Sequence, residues 1–236
     1  MKRLGILTAL IPEAVCLVEK PMTDQVIQLS DGIMLYVCGM GAERARQGVA
    51  RLLEDGADSL MSVGTAGGLD TALNPGDVLL PEHILQSDGR RMAVHGRWRD
   101  AAVTALTGAE VPVHGGDLLQ VNEVIRNAEE KRKSHAQTGA VAVDMESFVV
   151  AEEANRYGIP ALVIRVIVDT ADMVVPDAVL NYSDVYGRPR IMGLAGSLFL
   201  RPRQIVQLLH LARCFRTAAG RLQQVGKELH RLVPPA

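Results

Sequence analysis

Ala161-Leu162-Val163-Ile164-Arg165-Val166-Ile167-Val168-Asp169 is the stretch whose reading decides the fold. It is apolar apart from Arg165 and the closing Asp169, and it is rich in Val and Ile. A short branched run of this kind is a strand buried on both faces, as in a parallel sheet covered by helices. Gly158 and Pro160 precede it and end a helix predicted over 146–157. Arg165 is an unusual charge inside such a strand, because burying it is costly unless it is paired.

Working outward, strand-like and helix-like segments alternate. Strands are predicted over 4–10, 33–38, 59–63 and 141–143, with further candidates at 77–80 and 93–95. Helices are predicted over 42–54 and over 122–135, the latter with Asn122 as N-cap. The expected fold class is α/β: a three-layer α/β/α arrangement with a mainly parallel twisted sheet, in one domain spanning 1–236. In such sheets the binding crevice lies beyond the C-terminal ends of the strands. That rule selects 11–13, 39–44, 64–68, 117–120, 144–146 and 169–172.

The chain of 236 residues is 48% hydrophobic but 3% aromatic, so its core must be built from Ala, Val, Leu and Ile. Cys16, Cys38 and Cys214 read as reduced thiols, and the six histidines show no paired ligand spacing. No metal and no organic cofactor are expected. The apolar run after Met1-Lys2-Arg3 is interrupted by Pro12-Glu13, reads as a first strand, and points to a cytoplasmic protein. Net charge is −2, yet the part after residue 187 has nine bases against Glu228 alone, which is +8 and leaves −10 elsewhere. This basic, amphipathic helical region (188–236) calls for an anionic partner such as a lipid surface, and no nucleic acid is expected.

Gly39-Met40-Gly41 looks like part of a dinucleotide-binding turn. Arg44 stands where the third glycine belongs, and no acidic residue ends the next strand, which argues against a nicotinamide enzyme. Gly64-Thr65-Ala66-Gly67-Gly68 reads as a loop that lets a ligand approach the backbone, or as a tight turn. Glu13, Glu146 and Asp169 fall at one sheet edge. Singly, each has a mundane reading as a solvated side chain, a first-turn acid or a turn residue.

Together these motifs resemble the nucleoside phosphorylase/nucleosidase superfamily, in particular the methylthioadenosine/S-adenosylhomocysteine nucleosidases. The resemblance rests on Gly5-Ile6-Leu7-Thr8-Ala9-Leu10-Ile11-Pro12-Glu13, on Val63-Gly64-Thr65-Ala66-Gly67-Gly68-Leu69, on Val143-Asp144-Met145-Glu146-Ser147 and on the strand ending at Asp169. It runs from about residue 1 to 175 and implies a purine nucleoside substrate. Asp169 would then protonate the base, and Met145 and Glu146 would bind ribose. Glu13 would activate water, with Gly64, Thr65 and Arg165 positioning the nucleophile. Leu119 and Gln120 would contact the base, and a homo-oligomer, dimer or larger, would be the working unit.

The superfamily contains hydrolases and phosphorylases. A negative Glu13 at the nucleophile site suits water and disfavours a phosphate dianion, although Arg44, Arg165 and Thr65 offer a phosphate site. Val168 replaces the serine usual before the aspartate, Leu119 replaces an aromatic stacking residue, and the segment between Asp88 and Asp117 is short. Gly187-Arg188-Pro189 and the arginine-rich 198–216 resemble the hopanoid-biosynthesis-associated phosphorylases, which implies adenosylhopane as substrate. It also implies a site peripheral to the inner membrane face, with Leu198, Phe199, Leu200, Leu208, Leu209, Leu211 and Phe215 on the lipid side. A non-catalytic nucleoside-binding or membrane-associated scaffold is the reading from another class. A pure binder, however, has no need for both an acid and a base.

Overall fold

The computed structural model describes residues 2–190 and 203–235. In chain order the strands are β1 (Leu4–Thr8), β2 (Val26–Ser30), β3 (Ile33–Val37), β4 (Ser59–Gly68), β5 (Val78–Leu79), β6 (His83–Gln86), β7 (Arg91–Ala93), β8 (Val113–His114), β9 (Leu118–Gln120), β10 (Ala142–Asp144) and β11 (Ala161–Asp169). The helices are α1 (Ile11–Ala14), α2 (Ala42–Glu54), α3 (Gly96–Gly108), α4 (Ala128–Thr138), α5 (Ser147–Arg156), α6 (Asp177–Asn181) and α7 (Arg203–Lys227).

The result is an α/β fold with a mixed, mostly parallel sheet flanked by helices. β4 is its axis, running parallel to β1 on one side and to β11 on the other. Past the end of β1, Gly67 and Gly68 of β4 pair instead with β10, antiparallel. Leu4 and Ile6 alternate with Leu7 between two cores. One core holds Trp98 and Leu106 of α3 and Leu222 and Val225 of α7. The other holds Val49 and Leu52 of α2 and Val150 and Ala154 of α5. Each helix buries one apolar stripe on its face of the sheet, which makes the three layers.

Several local expectations need correction. Residues 64–68 are not a loop but the last half of β4, because β11 and β10 supply hydrogen-bond partners to both its edges. The helix expected from Asn122 begins after Asn127, whose side chain accepts a hydrogen bond from Glu130 N at 2.9 Å. Residues 96–108, given no element from the sequence, form α3, capped by His95 Nδ1, which accepts from Trp98 N at 3.2 Å. In the basic C-terminal part, Trp98 Nε1 donates to Leu232 O at 2.7 Å, tying the end of the chain to the core. Leu198, Phe199 and Leu200 lie outside the described residues.

Candidate active site

The C-terminal ends of β1, β4, β10 and β11 surround a cavity of about 140 Å³ to which Glu13, Thr65, Met145, Glu146 and Asp169 all contribute. Each carboxylate arrives there for a local reason. After β1 the chain turns at once into α1, and Glu13 folds back so that Oε2 accepts from Leu10 N at 3.0 Å and Thr8 Oγ1 at 2.9 Å. Its Oε1 accepts from Thr65 N and Thr65 Oγ1, both at 2.7 Å. Four donors thus fix a buried carboxylate. A Cβ on Gly64 would lie 3.0–3.1 Å from the two Glu13 oxygens, so glycine is the residue that leaves room for this contact.

Asp169 owes its place to an irregularity of the sheet. The β11 register slips between Ile167 and Asp169, so that Val168 and Asp169 together oppose one β4 step. Consecutive strand residues normally face opposite ways, but after this bulge both line the cavity. Gly67 accommodates the carboxyl, since a Cβ there would be 3.3 Å from both oxygens. Asp169 meets the ammonium of Lys131, which is buried on α4. Burial pushes the Asp169 carboxyl up, Lys131 pulls it down, and the net direction is upward.

Glu146 is the N-cap residue of α5, and its Oε1 accepts from Gly41 N at 2.7 Å. Burial pushes its carboxyl up to about 8, helped by the charge of Asp144 and opposed by the Gly41 N–H and Arg165.

Other expected site residues stand elsewhere. Arg165 does not line the cavity. It is turned into the sheet, where Nε bonds Asp144 Oδ2 at 2.8 Å and Nη2 bonds Ser62 Oγ at 2.7 Å. Its charge is therefore spent on Asp144 rather than on a nucleophile, as a buried guanidinium requires. Leu119 packs in a core with Leu69, Ala140 and Val143, and Gln120 Oε1 accepts from Val149 N at 3.1 Å, so neither side chain reaches the cavity. The next residues along, Val121, Val124 and Ile125, form that wall instead. Arg44 lies at a neighbouring cavity with Met40 and Gly41 and stacks on Tyr186, 5.6 Å from the ring centroid. Sequence reasoning missed Lys131, which looks like one more charge in the polar run Glu129-Glu130-Lys131-Arg132-Lys133. Among the described residues, no group of three or more His, Cys, Asp or Glu side chains is placed to hold a metal ion.

The fold has counterparts among solved nucleosidases. The 5′-methylthioadenosine/S-adenosylhomocysteine nucleosidase of Neisseria meningitidis, in complex with methylthio-immucillin-A, is 21% identical over 97% of this chain and 99% of that one, with a TM-score of 0.71. A mutant of the Helicobacter pylori enzyme, with 5′-methylthioadenosine in its active site, is 19% identical over 96% and 99% of the two chains, with a TM-score of 0.68. Helicobacter pylori futalosine hydrolase is 19% identical over 72% of this chain and 88% of its own, with a TM-score of 0.64. Residues 26–185 match the sequence model of the phosphorylase superfamily. The chain belongs to that superfamily and is an enzyme. Glu13 lies ahead of the matched segment.

Proposed function

We propose that the protein hydrolyses the N-glycosidic bond of a 5′-substituted adenosine, releasing adenine. The observation that carries this reading is the Glu13 carboxylate, held at the cavity by four donors and with no cation among them. A fixed negative group is a base for water and repels a phosphate dianion. Arg165 is committed to Asp144, which favours water further.

In this account Glu146 holds the ribose hydroxyls by hydrogen bonds, and its ionised form, reached as pH rises through about 8, favours positive charge on the sugar. Asp169 gives its proton to purine N7 as the C1′–N9 bond breaks and its electron pair passes to the base. A water oxygen bonds to C1′, and its proton goes to Glu13 once a threonine hydroxyl has rotated to free a lone pair. Both reactions known in the superfamily share the first half of this scheme, so phosphorolysis is the competing outcome.

Besides the carboxylates, the cavity is lined by the aliphatic Leu10, Val121, Val124, Ile125, Val168 and Val175. This supports a large apolar 5′ group, of which adenosylhopane is our specific choice. One domain spanning 1–236, acting as a dimer or larger at the cytoplasmic membrane face, completes the proposal. No helix among the described residues is long and apolar enough to cross a membrane. Ile205, Val206 and Leu209 of α7 are nevertheless exposed, with Arg213 and Arg216 further along the same helix. An apolar and basic helix of that kind suits an anionic lipid surface.

The test is adenine release from adenosines whose 5′ groups range from methylthio to a long alkyl chain, with and without phosphate. Release without phosphate, improving with chain length, is expected. An absolute need for phosphate overturns hydrolysis, and preference for the smallest group overturns the apolar substituent.

A further inference from the structure

We propose that Lys131 is the positioning residue for the base-protonating step, orienting the Asp169 carboxyl and neutralising the charge left on it when its proton departs. The inference rests on the nucleoside-cleaving reading above.

Lys131 is 1% exposed, an extreme position for a lysine. Its ammonium bonds Asp169 Oδ2 and, at 2.6 Å, the carbonyl of Thr170. These two acceptors hold it along the bulged end of β11, and Lys131 contributes to the cavity lining. The helix that carries it is anchored at both ends. Asn127 caps its start, and His135 Nδ1 lies 2.8 Å from Ala140 O near its close. A buried ammonium needs compensation, and an aliphatic residue of the same length would satisfy the packing without it. Val168, next to Asp169, has no hydroxyl with which to orient the carboxyl. Lys131 is the cation that does so.

The charges around Asp169 come from few elements. Lys131 faces it from α4, and the Cys214 thiol on α7 feels its charge, with His210 Nε2 4.0 Å from that sulfur. Asp172, three residues on, is exposed and paired with Arg132 at 3.5 Å. Burial pushes the Asp169 carboxyl up, and Lys131 is the cation in contact that opposes it. When the proton leaves the carboxyl oxygen for N7, the carboxylate that remains is met by an ammonium already in contact. Water then returns a proton to Asp169, while the proton taken by Glu13 passes to solvent.

The experiment compares wild type with Lys131→Met, Lys131→Gln and Lys131→Arg, following adenine release from 5′-methylthioadenosine across pH. Loss of the cation should lower kcat by roughly tenfold to a hundredfold with little change in KM. It should also move the alkaline limb of the kcat profile to higher pH, because Asp169 without its cation holds its proton longer. Lys131→Arg should keep the limb in place and restore most of the rate. If Lys131→Met fails to fold, Lys131→Gln, which keeps a hydrogen-bond donor without the charge, reads out the same limb. An unmoved limb in the neutral variants, or a fall in kcat and KM together, overturns the positioning role while leaving the nucleosidase reading intact. Wild type that releases no purine from any nucleoside overturns both.

Discussion

Arg165 reaches Asp144 Oδ2 through both Nε and Nη2, each at 2.8 Å, and both side chains are sealed from solvent. Asp144 in turn accepts from Ser147 N at 3.2 Å and bonds Ser147 Oγ, which fixes the first turn of α5 next to Glu146. This pair supports the cavity wall beside Glu146, where Asp144 contributes to the lining and Arg165 does not. Arg165→Met leaves Asp144 buried and uncompensated, and should cost roughly 3–5 kcal/mol in urea denaturation. A loss below about 1 kcal/mol would mean that the pair is not what holds this wall in place.

The two glycines of β4 give a sharper test of site geometry. In Gly64→Ala the new Cβ meets Glu13 Oε1 at 3.0 Å, and in Gly67→Ala it meets the Asp169 oxygens at 3.3 Å. If these carboxyls act as proposed, displacing one by a fraction of an ångström should lower kcat/KM by about tenfold or more, and overpacking should cost on the order of 1–3 kcal/mol. Gly108→Ala at the end of α3, where a Cβ meets nothing within 4 Å, is the control and should leave kcat/KM at the wild-type value. Equal effects at all three positions would contradict the carboxylate contacts.

Glu146 predicts a pH dependence of stability with a definite sign. Its carboxyl is raised from the ordinary 4.5 to about 8 in the folded protein. The folded state therefore holds a proton that the unfolded state has lost. Its contribution to stability is full below 4.5 and fades as pH rises through about 8. Thermal melts from pH 5 to pH 9 should show wild type losing stability relative to Glu146→Gln, which has no proton to lose. Parallel curves for the two proteins would contradict the raised value.

The exposed apolar residues of α7 bear on the membrane proposal. Val206 is 71% and Leu209 56% exposed. Flotation with vesicles containing phosphatidylglycerol should recover the wild-type protein and much less of a Val206→Ser/Leu209→Ser double variant. Equal recovery of both leaves the helix without a lipid-binding role.

Much of the fold is legible in the sequence because its strands are short apolar runs. The extents of α2 and of β11 follow from their apolar patterns. What stays hidden is long-range. The bulge at Val168 is set by pairing with β4 and leaves no local trace, and Lys131 joins the site because its side chain reaches Asp169 and Thr170 at the end of β11. Arg165 is recognisable as a charge needing a partner, yet the run of residues around it does not say whether that partner is Asp144 or a ligand. Leu119 and Gln120 fall just short of the cavity wall, because the end of β9 decides which side chains leave the core.

The claim that three buried carboxylates cleave a glycosidic bond with water as nucleophile is tested most directly by isotope labelling. Turnover of 5′-methylthioadenosine in ¹⁸O-water without phosphate, analysed by mass spectrometry, should give free adenine and a sugar carrying one ¹⁸O at C1. In Glu13→Gln the rate should fall by about a hundredfold or more. Formation of a sugar 1-phosphate, with no adenine release when phosphate is withheld, would contradict the account.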